Sequence, residues 1–130
     1  MDRNELKQLR PKIPAIIDLD ATTSAEQFQN RTLRPILKLQ NDLLLDVFVH
    51  YIQQRKGVYY TLSEEKRLEY IEHAIRKDLK FKHLLMGIII GQFTAEEWEI
   101  YTKQEDELRR RMTDLLVQRL QSQQIELRNR

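Results

Sequence analysis

Turn-forming residues are scarce in this chain: three glycines and three prolines serve 130 positions. An architecture of many short strands needs such breakers at its reversals, so this poverty favours long helices. The apolar residues agree. Leu33, Ile36, Leu37, Leu43, Leu44, Val47, Phe48 and Tyr51 recur three and four apart, the spacing of one helix face. The expected fold is all-α: a single helical bundle of four to five helices over 24–130, with an extended N-terminal arm over 1–23 packed on its core.

The elements follow from caps and stripes. In the arm, Pro11 and Pro14 forbid a continuous helix, while Leu6, Leu9, Ile13, Ile16, Ile17 and Leu19 are too apolar for a solvated tail. The Pro-x-x-Pro spacing also matches a polyproline ligand, but its apolar neighbours favour burial. Ser24 is expected to cap a short helix to about Gln29, and Thr32 the next, with Pro35 in its first turn. That second helix ends near Lys56-Gly57. Leu45, Val49 and Ile52 lie off its main stripe, so it is either central or shared with a partner.

Val58-Tyr59-Tyr60 is too brief for a sheet. Ser63 starts a third helix with Glu64 and Glu65 in its first turn and a stripe of Leu68, Ile71, Ile75 and Leu79, breaking near Asp78. Residues 81–93 read as the most buried element, because Leu84, Leu85, Met86, Ile88, Ile89 and Ile90 surround the axis. Gly87 and Gly91, four apart, suit tight packing in the core. Thr94-Ala95-Glu96-Glu97 forms a capping box. The long last helix carries Trp98, Tyr101, Leu108, Met112, Leu115, Leu116 and Leu120 on one face. It is expected to be interrupted near Thr102 and to fray after Ser122.

Charge and cysteine content bound the function. With 22 basic and 20 acidic residues the net charge is +2, which gives little long-range attraction for a polyanion. The absence of cysteine removes disulfides, thiolate metal sites and thiol nucleophiles. The charged start, Met1-Asp2-Arg3-Asn4-Glu5, lacks the apolar core of a signal peptide. The most apolar run, Leu84 to Ile90, is far shorter than the roughly 20 residues of a membrane span. The expectation is a cytoplasmic protein with no membrane association.

Asp46 and His50, and Glu69 and His73, are paired four apart on two helices. Dinuclear carboxylate bundles instead place glutamate three before histidine and add further inward glutamates. Solvated helix pairs account for both, and no metal ligand is expected. Glu64, Glu65, Glu69 and Glu72, and Glu96, Glu97 and Glu99, cluster at helix starts, where capping explains them better than acid–base chemistry. Ser24, Ser63 and Ser122 stand in no nucleophile elbow, and the Gly-x-x-x-Gly lacks the lysine and spacing of a phosphate loop. No catalytic residue and no cofactor is expected. Gln40 falls near the centre of an apolar face. It is read either as a core amide bonded to backbone, Tyr59 or Tyr60, or as a buried polar handle in a ligand pocket.

Two features point to partners. Arg76, Lys77, Lys80, Lys82 and His83 gather with Phe81 at one helix junction, with Arg109-Arg110-Arg111 and then Arg128 and Arg130 as further clusters. A basic patch with an aromatic could hold nucleic acid through phosphates and stacking, although Glu105, Asp106, Glu107 and Asp114 offer ion pairs to the triplet. The second face of Leu45, Val49 and Ile52 is either a partner interface, simplest as a homodimer, or is covered by the arm.

The string Met1-Asp2-Arg3-Asn4-Glu5-Leu6-Lys7-Gln8-Leu9-Arg10-Pro11-Lys12-Ile13-Pro14, with Phe28-Gln29-Asn30, Leu33-Arg34-Pro35-Ile36-Leu37-Lys38-Leu39-Gln40-Asn41 and Gly87-Ile88-Ile89-Ile90-Gly91-Gln92-Phe93-Thr94, resembles a group of short all-helical bacterial proteins of unknown function that often carry the label glyoxalase. The resemblance spans most of the chain. The label implies a metal-dependent lyase. Glyoxalases of the vicinal-oxygen-chelate type use βαβββ modules with histidine and glutamate ligands, and metallo-β-lactamase-like ones a His-x-His-x-Asp-His run. This sequence carries neither pattern, so no ligand transfers residue by residue. The leading expectation is a non-enzymatic helical interaction domain with a protein partner or a second copy of itself. RNA or ribonucleoprotein binding through Arg76, Lys77, Lys80 and Lys82 is the alternative, and a glyoxalase-like lyase the third reading.

Overall fold

The computed structural model describes residues 2–13 and 23–128. Every regular element among them is helical. A 3-10 segment, Arg3–Leu9, comes first. Then follow α1 (Ser24–Phe28), a π turn (Gln29–Leu33), α2 (Arg34–Leu39) and α3 (Asn41–Gln54). A second 3-10 segment, Val58–Thr61, leads to α4 (Glu64–Lys77), α5 (Leu79–Ile90), α6 (Ala95–Lys103), α7 (Glu105–Ser122) and α8 (Gln124–Arg128).

Eight α-helices among the described residues exceed the four to five expected, because the chain breaks where no glycine or proline announces it. Gln40, Gln104 and Gln123 each leave helical geometry, at φ/ψ of −91°/7°, −145°/45° and −104°/21°. The breaks near Asp78 and Thr102 fall where they were expected. Asp78 explains its own: its carboxylate accepts the Phe81 N–H to start α5, and also bonds the Tyr51 hydroxyl and Arg55. The end of α3 is thereby tied to the α4–α5 corner.

Capping residues set the other starts. Thr23, not Ser24, caps α1 by accepting the Glu26 N–H. Ser63 caps α4, and Thr94 with Glu97 forms the expected box at α6. Thr32 caps nothing: it lies inside a continuous helical path whose π turn ends as Pro35 enters. A π turn shifts the hydrogen-bond register, and a residue without an N–H needs such an interruption. At the end of α3, Gly57 N–H bonds Ile52 O and Lys56 N–H bonds Gln53 O, with both residues left-handed (φ 61° and 67°). Glycine meets that geometry without cost at the second position.

The core centres on α7, which packs against α4, α5, α6 and the π turn and buries seven residues from Leu108 to Leu120. Two aromatic groups flank it. Phe48, Tyr51, Tyr59, Tyr70 and Phe81 join α3, the second 3-10 segment, α4 and α5. Phe28, Phe93, Tyr101 and Trp98 join α1, the α5–α6 turn and α6.

Several expected faces are corrected. Helix α5 is not the most buried element: it keeps Phe81, Leu85, Met86 and Ile89 inside but leaves Leu84 half-exposed. Nothing lies within 4 Å of where a Gly87 side chain would stand, so no helix approaches there. Leu68 and Leu79 are exposed, since the break at Asp78 carries Leu79 off the α4 stripe. The arm is not extended throughout: residues 3–9 form a 3-10 turn that buries no side chain, and Leu9 is exposed. Among its described residues, Arg3 and Arg10 bond it to the α5–α6 turn and to α6. Pro14, Ile16, Ile17 and Leu19 lie outside the described residues. The tail does not end at Ser122, because α8 returns against α3 and buries Leu127 completely.

Leu127→Ala should therefore cost about 2–3 kcal/mol in urea unfolding, as for other buried leucines. Ile125→Ala, on the exposed side of the same short helix, should stay within about 0.5 kcal/mol of wild type. Equal effects would mean that α8 is not docked.

Candidate functional site

A cavity of about 710 Å³ opens between α2 and α7. Helical spacing builds it. Arg34, Leu37 and Lys38 stand at i, i+3 and i+4 on one face, and Leu115, Gln118, Arg119 and Ser122 at i, i+3, i+4 and i+7 on the other. Its two arginines are held by neutral amides: Arg34 Nε donates to Asn30 Oδ1 at 3.2 Å, and Arg119 Nη1 to Asn41 Oδ1 at 3.0 Å. Burial, then the charge of Arg34, lowers the Arg119 pKa from its ordinary value. Among the described residues neither guanidinium, nor Lys38, has a carboxylate at ion-pair distance. An adjoining depression that shares Arg34, Leu115 and Gln118 with the cavity holds two acids, each already bonded: Glu107 to Arg110 and Arg111, and Asp114 to Arg76.

A second polar centre is structural. Glu97 is the one buried carboxylate among the described residues. Arg10 grips it with two hydrogen bonds of 2.6 and 2.7 Å, the Thr94 N–H donates at 2.9 Å and the Thr32 hydroxyl at 3.2 Å. Burial pushes the Glu97 carboxyl up, but these donors outweigh it and hold the pKa below the usual carboxylate value. Arg10 also donates to Gln92 O, and Arg3 donates to Gly91 O and Phe93 O. Three consecutive carbonyls after α5, groups a helix end leaves without partners, are thus satisfied by two arginines. Four hydrogen bonds converge on the Glu97 carboxylate, which makes it a brace, while the Arg10 Nε stays buried without a partner.

The sequence candidates are dispersed. Leu45 and Ile52 are 1% and 0% exposed and Val49 packs half-buried on the core, so the expected interface is interior to this chain. The cause is the central position of α3, apolar on more than one side. Gln40 sits half-buried at the α2–α3 break, its amide donating to Ile88 O at 3.3 Å, as a core amide does. At the basic junction Arg76 is paired with Glu72 and Asp114. Lys77 and Lys80 are exposed and Lys82 is half-buried. Arg76 and Lys82 do meet Arg109 and Arg110 in one shallow depression, yet Arg109 pairs with Glu105 and Arg110 with Glu107. Phe81 is core, and Arg128 is exposed on α8.

His50, His73 and His83 are exposed on three different helices, and Glu69 pairs with Lys66. Among the described residues no group of three or more histidine, aspartate or glutamate side chains could hold a metal. Ser63 is a cap, Ser24 accepts from Gln104, and Ser122 donates to Arg119 O. No helix among the described residues is long and apolar enough to cross a membrane.

Sequence reasoning missed Arg34, Arg119 and Arg10. The capping box marked Glu97, but nothing local to Arg10 signalled its destination. Arg34 and Arg119 meet only through tertiary packing. Comparison with protein-family models, with curated proteins and with solved structures found no match.

Replacing the carboxylate by an amide isolates the Glu97 charge. Glu97→Gln should cost about 3 kcal/mol at pH 7, because Arg10 is left buried without its counter-charge. A lowered folded pKa contributes stability that is whole above the unfolded value of about 4.3 and is lost as pH falls through the folded value. Urea unfolding at pH 7 and pH 3 should therefore show a larger acid loss in the wild type than in the variant. Parallel acid limbs would contradict the assignment.

Proposed function

We propose that this chain is a non-enzymatic helical interaction domain that binds a protein partner. The observation that carries the reading is Trp98. The single tryptophan of the chain is 49% exposed at the start of α6, its ring stacked on Tyr101 at 5.6 Å. Trp98 thus offers a large apolar surface, held by a buried neighbour, in the first turn of a helix that the Glu97 brace fixes. Rigid exposed tryptophans are the side chains that most often anchor protein interfaces. The buried acid is engaged structurally, and the histidines and serines converge on no reacting position, which supports binding over catalysis.

RNA binding through the basic junction is the weaker reading, since Arg76, Arg109 and Arg110 all face acidic partners. No constellation of ligands favours a glyoxalase-like lyase.

The test is a pull-down from the native host with wild type and Trp98→Ala, alongside sedimentation across a dilution series for self-association. The expected result is a defined protein, or a second copy, held by the wild type and weakened at least about tenfold by the substitution, as for an interface hot spot. Identical capture by both proteins, with no self-association, would remove the reading.

A further inference from the structure

We infer that the cavity between α2 and α7 is a binding site for a small molecule bearing a phosphate group, recognised by Arg34, Arg119 and Lys38. This goes beyond the protein-partner reading and rests on different residues.

Three observations converge. First, two guanidiniums and an ammonium line one cavity from its two sides, and no carboxylate is among the described residues that line it. Arg34 and Arg119 are half-buried, and like charges brought together at a partly desolvated position are unfavourable until an anion joins them. Second, the arrangement is oriented but not neutralised. Asn30 and Asn41 fix one N–H of each guanidinium through an amide oxygen, which leaves the charge and the remaining N–H groups available. An ion pair in either place would have cancelled the site. Third, the cavity suits more than a bare ion. Its volume of about 710 Å³ lies within the size range of small-molecule sites. Leu37, Leu115 and Ile13 add apolar wall for the rest of the molecule, and Gln118 adds an amide.

Charge selects the ligand class. A carboxylate brings one negative charge, whereas a phosphate monoester brings about 1.5 to 2 at neutral pH with three acceptor oxygens. Three cations match the second better. Planar guanidinium forks meet phosphate oxygens in pairs, which fixes geometry as well as charge.

Inorganic pyrophosphate is the probe, measured by isothermal titration calorimetry and thermal unfolding on the full chain at constant ionic strength. Chloride and citrate serve as controls. Saturable binding with a rise in Tm is expected for pyrophosphate, and a weaker response for citrate. Arg34→Met and Arg119→Met should each weaken pyrophosphate at least about tenfold, as loss of charge-assisted paired hydrogen bonds does. In chloride alone each should melt no lower than wild type, because a charge repulsion has been relieved. Lys38→Met, at an exposed position, keeps the test decisive if an arginine variant fails to fold, and should weaken binding about threefold or more. The proposal is overturned if pyrophosphate binds no better than chloride, if citrate binds as well, or if all variants respond like wild type. It is also overturned if both arginine variants melt lower in chloride and Lys38→Met has no effect, which would make the arginines structural. Binding of a short single-stranded RNA without binding of pyrophosphate would likewise replace the small ligand by a polymer. None of these results depends on Trp98.

Discussion

Burying Glu97 commits the chain to bringing Arg10 to it across 87 positions. An ionised carboxylate out of water is tolerated only when its oxygens are filled by donors, and here those donors come from three separate segments. Arg10 arrives from the N-terminal segment, Thr94 from the α5–α6 turn and Thr32 from the π turn before α2. One carboxylate therefore sets where the N-terminal segment lies, how α6 leaves α5 and which way Thr32 faces. Arg3 and Arg10 complete the corner by filling the carbonyls of residues 91–93, where the negative end of the α5 dipole also favours cations. Such a corner is specific rather than generic: apolar packing would accept several registers, whereas a two-pronged guanidinium bond accepts one.

From that corner the rest of the bundle follows. The turn places Phe93 edge-on to Phe28 and beside Tyr101, which joins α1 and α6 across the same junction. Helix α7 then runs through the middle, burying apolar residues toward α4, α5 and α6 while its other side carries Gln118 and Arg119 to the cavity facing α2. The far end is closed by a second polar tie, Asp78 with Tyr51 and Arg55, beside the larger aromatic group. The two ties are alike in design: in each, an acid that caps a helix also receives a distant arginine.

Local chemistry was legible in the sequence and long-range chemistry was not. The all-helical class, the Thr94–Glu97 box, the Ser63 cap, the Asp78 break and the Lys56-Gly57 stop each follow from residues within a few positions of one another. The helix count failed because Gln40 and Gln123 are good helix formers whose breaks are imposed by packing. Leu45, Val49 and Ile52 stayed open between a partner interface and cover by the chain itself, because a hydrophobic stripe looks the same whether its own chain or another covers it. The Arg34–Arg119 pair and the Arg10 grip gave no signal at all. Arginine beside aspartate or glutamate is ordinary on a helix surface, and only the fold shows which arginines share a cavity.

The central claim is that the Arg10–Glu97 bond, and not merely the volume of its side chains, holds the N-terminal segment to the α5–α6 corner. A double-mutant cycle tests it most directly, with Arg10→Met, Glu97→Met and the combined variant unfolded in urea at pH 7. The account predicts a coupling of at least about 2 kcal/mol, with the double variant more stable than either single one, because each single change strands a buried charge. Additive effects, with a coupling below about 0.5 kcal/mol, would contradict it and leave the corner to apolar packing.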